Sequence, residues 1–307
     1  LLYRRPFVFT LHDLILFHYP TQKASTRGGI FYWLKFAAYR LVLSSAIRRA
    51  RAVITVSDFT RHDICQNYPR AEEKIVVTKE AAEQWCYVGD QETEQQLFAR
   101  LGLSRKGGNA RPAHDIIDPY VLYVGNAYPH KNLEVLLEAA ELLPAKRFVL
   151  VGKADFFYQR LKGKADARGL QNVIFADYVT DRELGSLYRR AAGYAFPSLY
   201  EGFGLPPLEA MQYGTPVLAA ETSSLPEVLG HAALYFDPRD AQALVSLIRR
   251  IESEPALAEE LRARGYQQAA LHTWSEMAQA TLAVYSESSV DTKTEKWNPL
   301  PTNSPSR

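Results

Sequence analysis

The feature that most limits what this chain can fold into is a recurring order: a short apolar run rich in β-branched and aromatic residues, a loop, then a helical pattern. The runs are Phe7 to Leu11 (FVFTL), Ala52 to Val56 (AVITV), Lys74 to Thr78 (KIVVT), Tyr120 to Val124 (YVLYV), Phe148 to Val151 (FVLV), Val173 to Ala176 (VIFA), Ala191 to Ser198 (AAGYAFPS), Pro216 to Ala219 (PVLA) and Ala233 to Phe236 (ALYF). Runs this short, bounded by polar turns, read as buried strands, whereas the apolar spacing from Leu133 to Leu143 is that of a helix. The alternation predicts an α/β chain whose strands deliver their carboxyl ends to a ligand cleft. At 307 residues the chain exceeds one ordinary core, so two domains are expected.

One of these strand-loop-helix units carries two carboxylates around a glycine-rich turn: Glu201 to Met211, EGFGLPPLEAM. Gly202 and Gly204 permit close backbone approach, Pro206 and Pro207 suit a first helical turn, and Gly214 reads as the helix stop. The spacing predicts Glu201 in the loop and Glu209 in the first turns of the helix. The amides of Gly202, Phe203, Gly204 and Leu205 then lie at the positive end of a helix dipole, a place for an anionic or hydroxyl-rich ligand. A carboxylate at either end suits paired hydrogen bonds from vicinal hydroxyls of a sugar or ribose. A plainer arrangement also fits these residues, with Glu201 capping the turn and Glu209 on a solvated helix face.

Composition excludes little beyond the unusual classes. Hydrophobic residues make up 47% and charged residues 23%, as in an ordinary globular protein, and the net charge of +2 gives no reason to expect a nucleic-acid partner. Cys65 and Cys86 fit neither a CxxC motif nor a disulfide framework and read as free thiols in a reducing, cytoplasmic compartment. The apolar window from Ile30 to Ile47 is broken by Lys35 and Arg40, which makes a poor spanning helix.

That window belongs to a predicted helix over 27–51. From Leu1 to Ala52 nine basic residues face one acidic residue, Asp13. A basic, apolar helix of this kind suits peripheral contact with a membrane face or a diphosphate-linked acceptor, or equally a core helix whose arginines balance its carboxyl-terminal dipole.

The segment PSLYEGFGLPPLEAMQYGTPVLA, with seven residues between Glu201 and Glu209, resembles the E-x7-E donor motif of the retaining family 4 glycosyltransferases. Similar stretches recur as TLHDL, VITVSDFTRHDI, YVLYVGNAYPHKNLEVLLEA, NVIFADYVTDRELGSLY and SSLPEVLGHAALYFDP. The resemblance implies the GT-B fold: two facing Rossmann-like domains, the amino-terminal one lacking its first part. The expected division is 1–108 for the acceptor-side domain, 109–272 for the nucleotide-sugar domain, 273–287 for a crossover helix and 288–307 for a disordered tail, with the polar stretch from Glu92 to Ala113 as linker.

The resemblance also implies roles. His12, at the end of a strand, would lie near the donor sugar, and Lys131 would contact the nucleotide diphosphate. Asn126, after Gly125, stands where the family has an arginine, and Lys153 is a second candidate cation. The base would be held by backbone groups around Tyr178 and Val179. KEAAEQW replaces the family's usual Asn-Gly turn after the KIVVT strand.

With Glu201 assigned to the sugar and Glu209 to the ribose, catalysis would rest on His12, Lys131 and Glu201. The expected reaction is retaining transfer from a nucleotide-sugar donor to a glycan or lipid-linked acceptor hydroxyl. GDP-mannose is favoured because VGNAYPHKN resembles branches that use it, with a UDP-sugar as the other option. No D-x-D occurs, so neither a metal nor another cofactor is expected. Rival readings are another GT-B enzyme, an epimerase or phosphorylase, and a non-catalytic nucleotide-binding protein.

Overall fold

The computed structural model describes residues 3, 5–20, 29–82, 91–104 and 118–289. They fall into two compact units, one made of residues 1–81 with 273–307 and the other of 82–272. The expected boundary at 108/109, Cys86 and the tail beyond 289 lie outside the described residues.

The first unit holds a three-stranded parallel sheet in the order β1 (Val8–Thr10), β2 (Ala52–Thr55), β3 (Ile75–Val77). Helices α1 (Ile15–His18) and α2 (Gly29–Arg49) lie between β1 and β2, and α3 (Asp58–Asn67) follows β2. Central strand β2 is buried on both faces. Val53 joins Leu11, Leu14, Leu43, Ile47, Ile64 and Ile75 on one side, whereas Ala52 and Ile54 pack against Val284 on the other. This is the period of two that sends alternate strand side chains to opposite faces. Ser57 caps α3, as its sequence predicts, by accepting from the Thr60 amide at 3.1 Å. Leu43 and Ile47 of α2 enter the core, while Phe31, Trp33, Leu34, Leu41 and Val42 stay exposed.

The second unit opens with α4 (Gln91–Arg100), where the sequence suggested part of a linker. Leu97 and Phe98 are buried, and Glu94 pairs with both Arg189 and Arg190, with Arg190 Nη2 at 2.9 Å. Burial opposes ionisation of Glu94, but the two guanidinium groups outweigh it and hold the carboxyl below its ordinary range. Local polarity concealed the helix because its partners lie on α7, about 95 residues away.

The sheet of this unit is six-stranded and wholly parallel. Its strands are β4 (Tyr120–Val124), β5 (Arg147–Val151), β6 (Val173–Ala176), β7 (Gly193–Phe196), β8 (Val217–Ala220) and β9 (Ala233–Phe236), in the order β6-β5-β4-β7-β8-β9. The connecting helices are α5 (Glu134–Leu142), α6 (Phe156–Ala167), α7 (Asp181–Arg190), α8 (Leu205–Gln212) and α9 (Leu225–Leu229), followed by α10 (Ala241–Ser253) and α11 (Pro255–Ala270). From β4 the chain winds outward to β6 and then returns to start β7 beside β4. The strand order therefore reverses between β4 and β7, the switch point at which open parallel sheets bind ligands.

Helix α7 begins with Thr180 as cap in a reciprocal capping box with Glu183, which makes Asp181 its first helical residue. Helix α12 (Trp274–Ser289) rejoins the first unit through Val284 and continues two residues past the expected end at 287, so Ser288 and Ser289 are helical.

Candidate active site

Gly125 follows strand β4; its backbone φ of 146° favours glycine, and an added Cβ would stand 2.8 Å from the Tyr123 hydroxyl. Its own polar groups are already engaged: the amide donates to the Val151 carbonyl at 3.0 Å and the carbonyl accepts from Tyr158 at 3.1 Å. The Asn126 carbonyl likewise accepts from Tyr123, and its side-chain oxygen accepts from the Tyr128 amide. Asn126 thus shapes a turn in the place where the resemblance expects a cation.

Lys131 lies ahead of α5 and not within its first turn. It ends a single 3-10 turn, Pro129–Lys131, and Asn132 then takes a left-handed conformation at φ 56° before the helix opens. Two carbonyls, of Pro197 and Pro238, accept from the Asn132 amide group and stabilise that conformation. Acidic Glu134 occupies the first turn of α5, where the dipole favours it, and the cation is aimed elsewhere.

Lys131 Nζ meets Glu201 Oε1 at 2.5 Å, with the two side chains only 13% and 9% exposed. The ammonium also lies over the Phe196 ring at 5.2 Å. The pair joins the loop after β4 to the loop after β7, directly across the switch point.

The chain around Glu201 is held by groups the sequence reading left without a role. The Glu201 amide donates to Ser223, while Ser224 donates to the carbonyls of Glu201 and Phe203 at 3.0 and 3.1 Å. Gly204 then turns at φ 105°, where a Cβ would lie 2.8 Å from Leu225. The Phe203, Gly204 and Leu205 amides find no acceptor among the described residues. Pro206 and Pro207 remove the next two donors, so the amides without an acceptor among the described residues belong to the loop and the first helical position.

Glu209 sits one turn into α8, where Tyr188 donates to it at 3.1 Å. Burial, and then the adjacent carboxylate, keep the Tyr188 phenol far from ionisation, so it serves as a fixed donor. The ring stacks on Tyr213 at 5.6 Å. Sequence reasoning missed Tyr188, Ser223 and Ser224 because their contacts lie some 20 residues away in the chain.

Lys153 and Val179 follow neighbouring strands, β5 and β6, of the same sheet. Lys153, after β5, is exposed, and Val179 is half-buried beside exposed Tyr178, whose carbonyl accepts from Arg100 at 3.4 Å. Beneath the Lys131 turn lies His130, whose pKa burial, helped by Lys131, lowers to about 4. His12 belongs to the other unit, where its Nδ1 lies 2.7 Å from Glu80 Oε1. Among the described residues no three His, Cys, Asp or Glu side chains gather as metal ligands, and no helix is long and apolar enough to cross a membrane.

Residues 110–268 match the family of glycosyl transferases group 1, and residues 1–79 match glycosyltransferase family 4. The O-antigen chain mannosyltransferase B of Escherichia coli is 32% identical over 289 residues, covering 91% of this chain and 69% of that protein. The serotype-specific mannosyltransferase WbdA of the same organism is 29% identical over 88% of the chain, which spans 32% of its length. Among solved structures, Alr3699/HepE of Anabaena in complex with UDP and glucose superposes with a TM-score of 0.72 at 22% identity, over 92% of this chain and 72% of that one. The chain therefore belongs to the group 1 glycosyltransferases and is a hexosyltransferase of GT-B fold.

Proposed function

We propose that this glycosyltransferase moves mannose from GDP-mannose to a hydroxyl of a glycan or lipid-linked acceptor, with retention at the anomeric carbon and without a metal ion. The observation that carries the reading is the buried Lys131–Glu201 pair across the switch point. Breaking a glycosyl-phosphate bond puts negative charge on the departing diphosphate and positive charge on the sugar. A fixed cation and a fixed carboxylate side by side answer both demands.

In this reading Lys131 and the amides of Phe203, Gly204 and Leu205 receive the diphosphate, joined by Gly202, Gly125 and Asn126 as walls of the pocket and by Lys153 as a second cation. Glu201 and His12 address the sugar, Glu209 takes the ribose hydroxyls, and the backbone at Val179 faces the base. The mannosyltransferase names of two relatives support mannose as the sugar transferred, and their O-antigen and serotype descriptions support a growing glycan as acceptor. The exposed aromatic face of α2 and its basic last turn supply peripheral contact with a cytoplasmic membrane face.

The test is incubation of the complete protein with GDP-mannose and a mannose-terminated acceptor in excess EDTA. Elongated acceptor is expected. Free mannose or mannose phosphate as the product would favour an epimerase-like or phosphorylase-like enzyme instead. Activity that disappears and returns only with Mg²⁺ or Mn²⁺ would overturn metal independence.

A further inference from the structure

His12 and Glu80 are 68 residues apart and meet only because both follow carboxyl ends of strands in one sheet. β1 and β3 flank β2, so these ends stand about 10 Å apart and the side chains reach over the end of the middle strand. Nδ1 of His12 lies 2.7 Å from Glu80 Oε1, with side-chain exposures of 60% and 21%. Nε2 has no partner among the described residues. A carboxylate facing Nδ1 requires that this nitrogen carry a proton, which leaves Nε2 as the atom turned to a ligand.

We propose that Glu80 is the positioning residue of His12: by accepting from Nδ1 it sets the ring orientation and tautomer and directs Nε2 at the sugar in transfer. The proposal rests on the reading above that His12 addresses the donor sugar, and it adds a residue in the segment that replaces the expected Asn-Gly turn.

The charges around the ring have a definite sign. The Glu80 hydrogen bond raises the His12 pKa above 6.5, against partial burial that lowers it, and the charges of Glu80 and neighbouring Asp13 raise it further. Asp13 is tied to the Ile15 amide at the start of α1. The end of β2 contributes neutral hydroxyls, Thr55 turned to the Leu11 carbonyl and Ser57 turned to Thr60, and Lys79 beside Glu80 is exposed. Glu80 therefore extends to higher pH the range in which Nε2 carries a proton and donates to a sugar hydroxyl or phosphate oxygen.

The experiment combines a ¹H–¹⁵N titration of the His12 ring in the complete protein with the pH profile of kcat/KM, for wild type, Glu80→Gln and Glu80→Asp. In Glu80→Gln the His12 midpoint should fall by ~0.5 or more, the alkaline limb of the profile should move down with it, and kcat/KM at pH 7 should drop ~3- to 10-fold. Glu80→Asp should restore part of each. A His12 midpoint that is the same in Glu80→Gln and wild type overturns the pairing. A midpoint that falls while the kinetic profile stays put overturns the role in transfer and leaves glycosyl transfer itself untouched, since wild-type turnover is measured separately.

Discussion

Each unit places a histidine after its first strand, His12 beyond β1 and His130 beyond β4, and the two environments push them in opposite directions. His12 is mostly exposed and faces a carboxylate, which raises its pKa. His130 is buried under the turn that carries Lys131, and desolvation followed by that cation brings it down to about 4. The difference separates an exposed histidine that a carboxylate keeps protonated to higher pH from a buried one that desolvation keeps neutral to lower pH. Dry, fixed charge is what stabilising a departing diphosphate needs, because buried charges act with little screening and little reorganisation.

The sharpest way to break that contrast is Lys131→Ala. It removes the charge that would answer the leaving group and leaves the Glu201 carboxylate buried without its cation. A fall in kcat of ~100-fold and a loss of ~3 kcal/mol of unfolding free energy are expected, measured by steady-state kinetics and urea denaturation of the complete protein. Wild-type kcat would show that the pair is structural only.

The histidines themselves give the next test. A group whose folded pKa is depressed binds fewer protons folded than unfolded between the two values, so stability falls as pH drops through that window. Between pH 6.5 and about 4, His130 should cost the second unit up to ~3 kcal/mol, and His130→Gln should flatten that dependence. His12 has the reverse sign: its small contribution is present below its ordinary pKa and is lost as pH rises through the raised value. Denaturation midpoints followed from pH 7 to 4 decide between a dry and a wet His130.

Glu201→Gln keeps the shape of the buried pair but removes the negative charge beside the developing sugar cation. It should lower kcat ~10-fold, equivalent to ~1.4 kcal/mol of transition-state stabilisation, with circular dichroism unchanged. The smallest effect belongs to Glu209. An interaction with ribose is much the same in ground and transition states, so Glu209→Gln should raise the donor KM several-fold and leave kcat close to wild type. A kcat loss at Glu209 equal to that at Glu201 would place both carboxylates on the reacting sugar.

Much of this molecule was legible in advance. The β-rich runs became strands within a residue or two, Ser57 caps α3, and Gly204 and Gly214 bound the helix that carries Glu209, both at positive φ. These features rest on interactions between near neighbours in the chain: pleat alternation, a side chain reaching the amide three residues on, a backbone angle that favours glycine. The E-x7-E spacing belongs to the same class, since a loop and one helical turn separate its two ends.

Only the tertiary structure decided which of those residues meet. The Lys131–Glu201 and His12–Glu80 bonds span 70 and 68 residues, and each forms because parallel strands bring distant loops to one sheet edge. The polar segment read as linker forms α4 because Glu94 meets Arg189 and Arg190, and Tyr188 becomes the partner of Glu209 because the fold brings the end of α7 within side-chain reach of α8. Sequence alone determined the elements and the residue types at their ends, because local backbone preference and burial period act over a few residues. It left open the pairings across the sheet and the two opposed histidine environments, because strand order and desolvation exist only once the whole sheet has assembled.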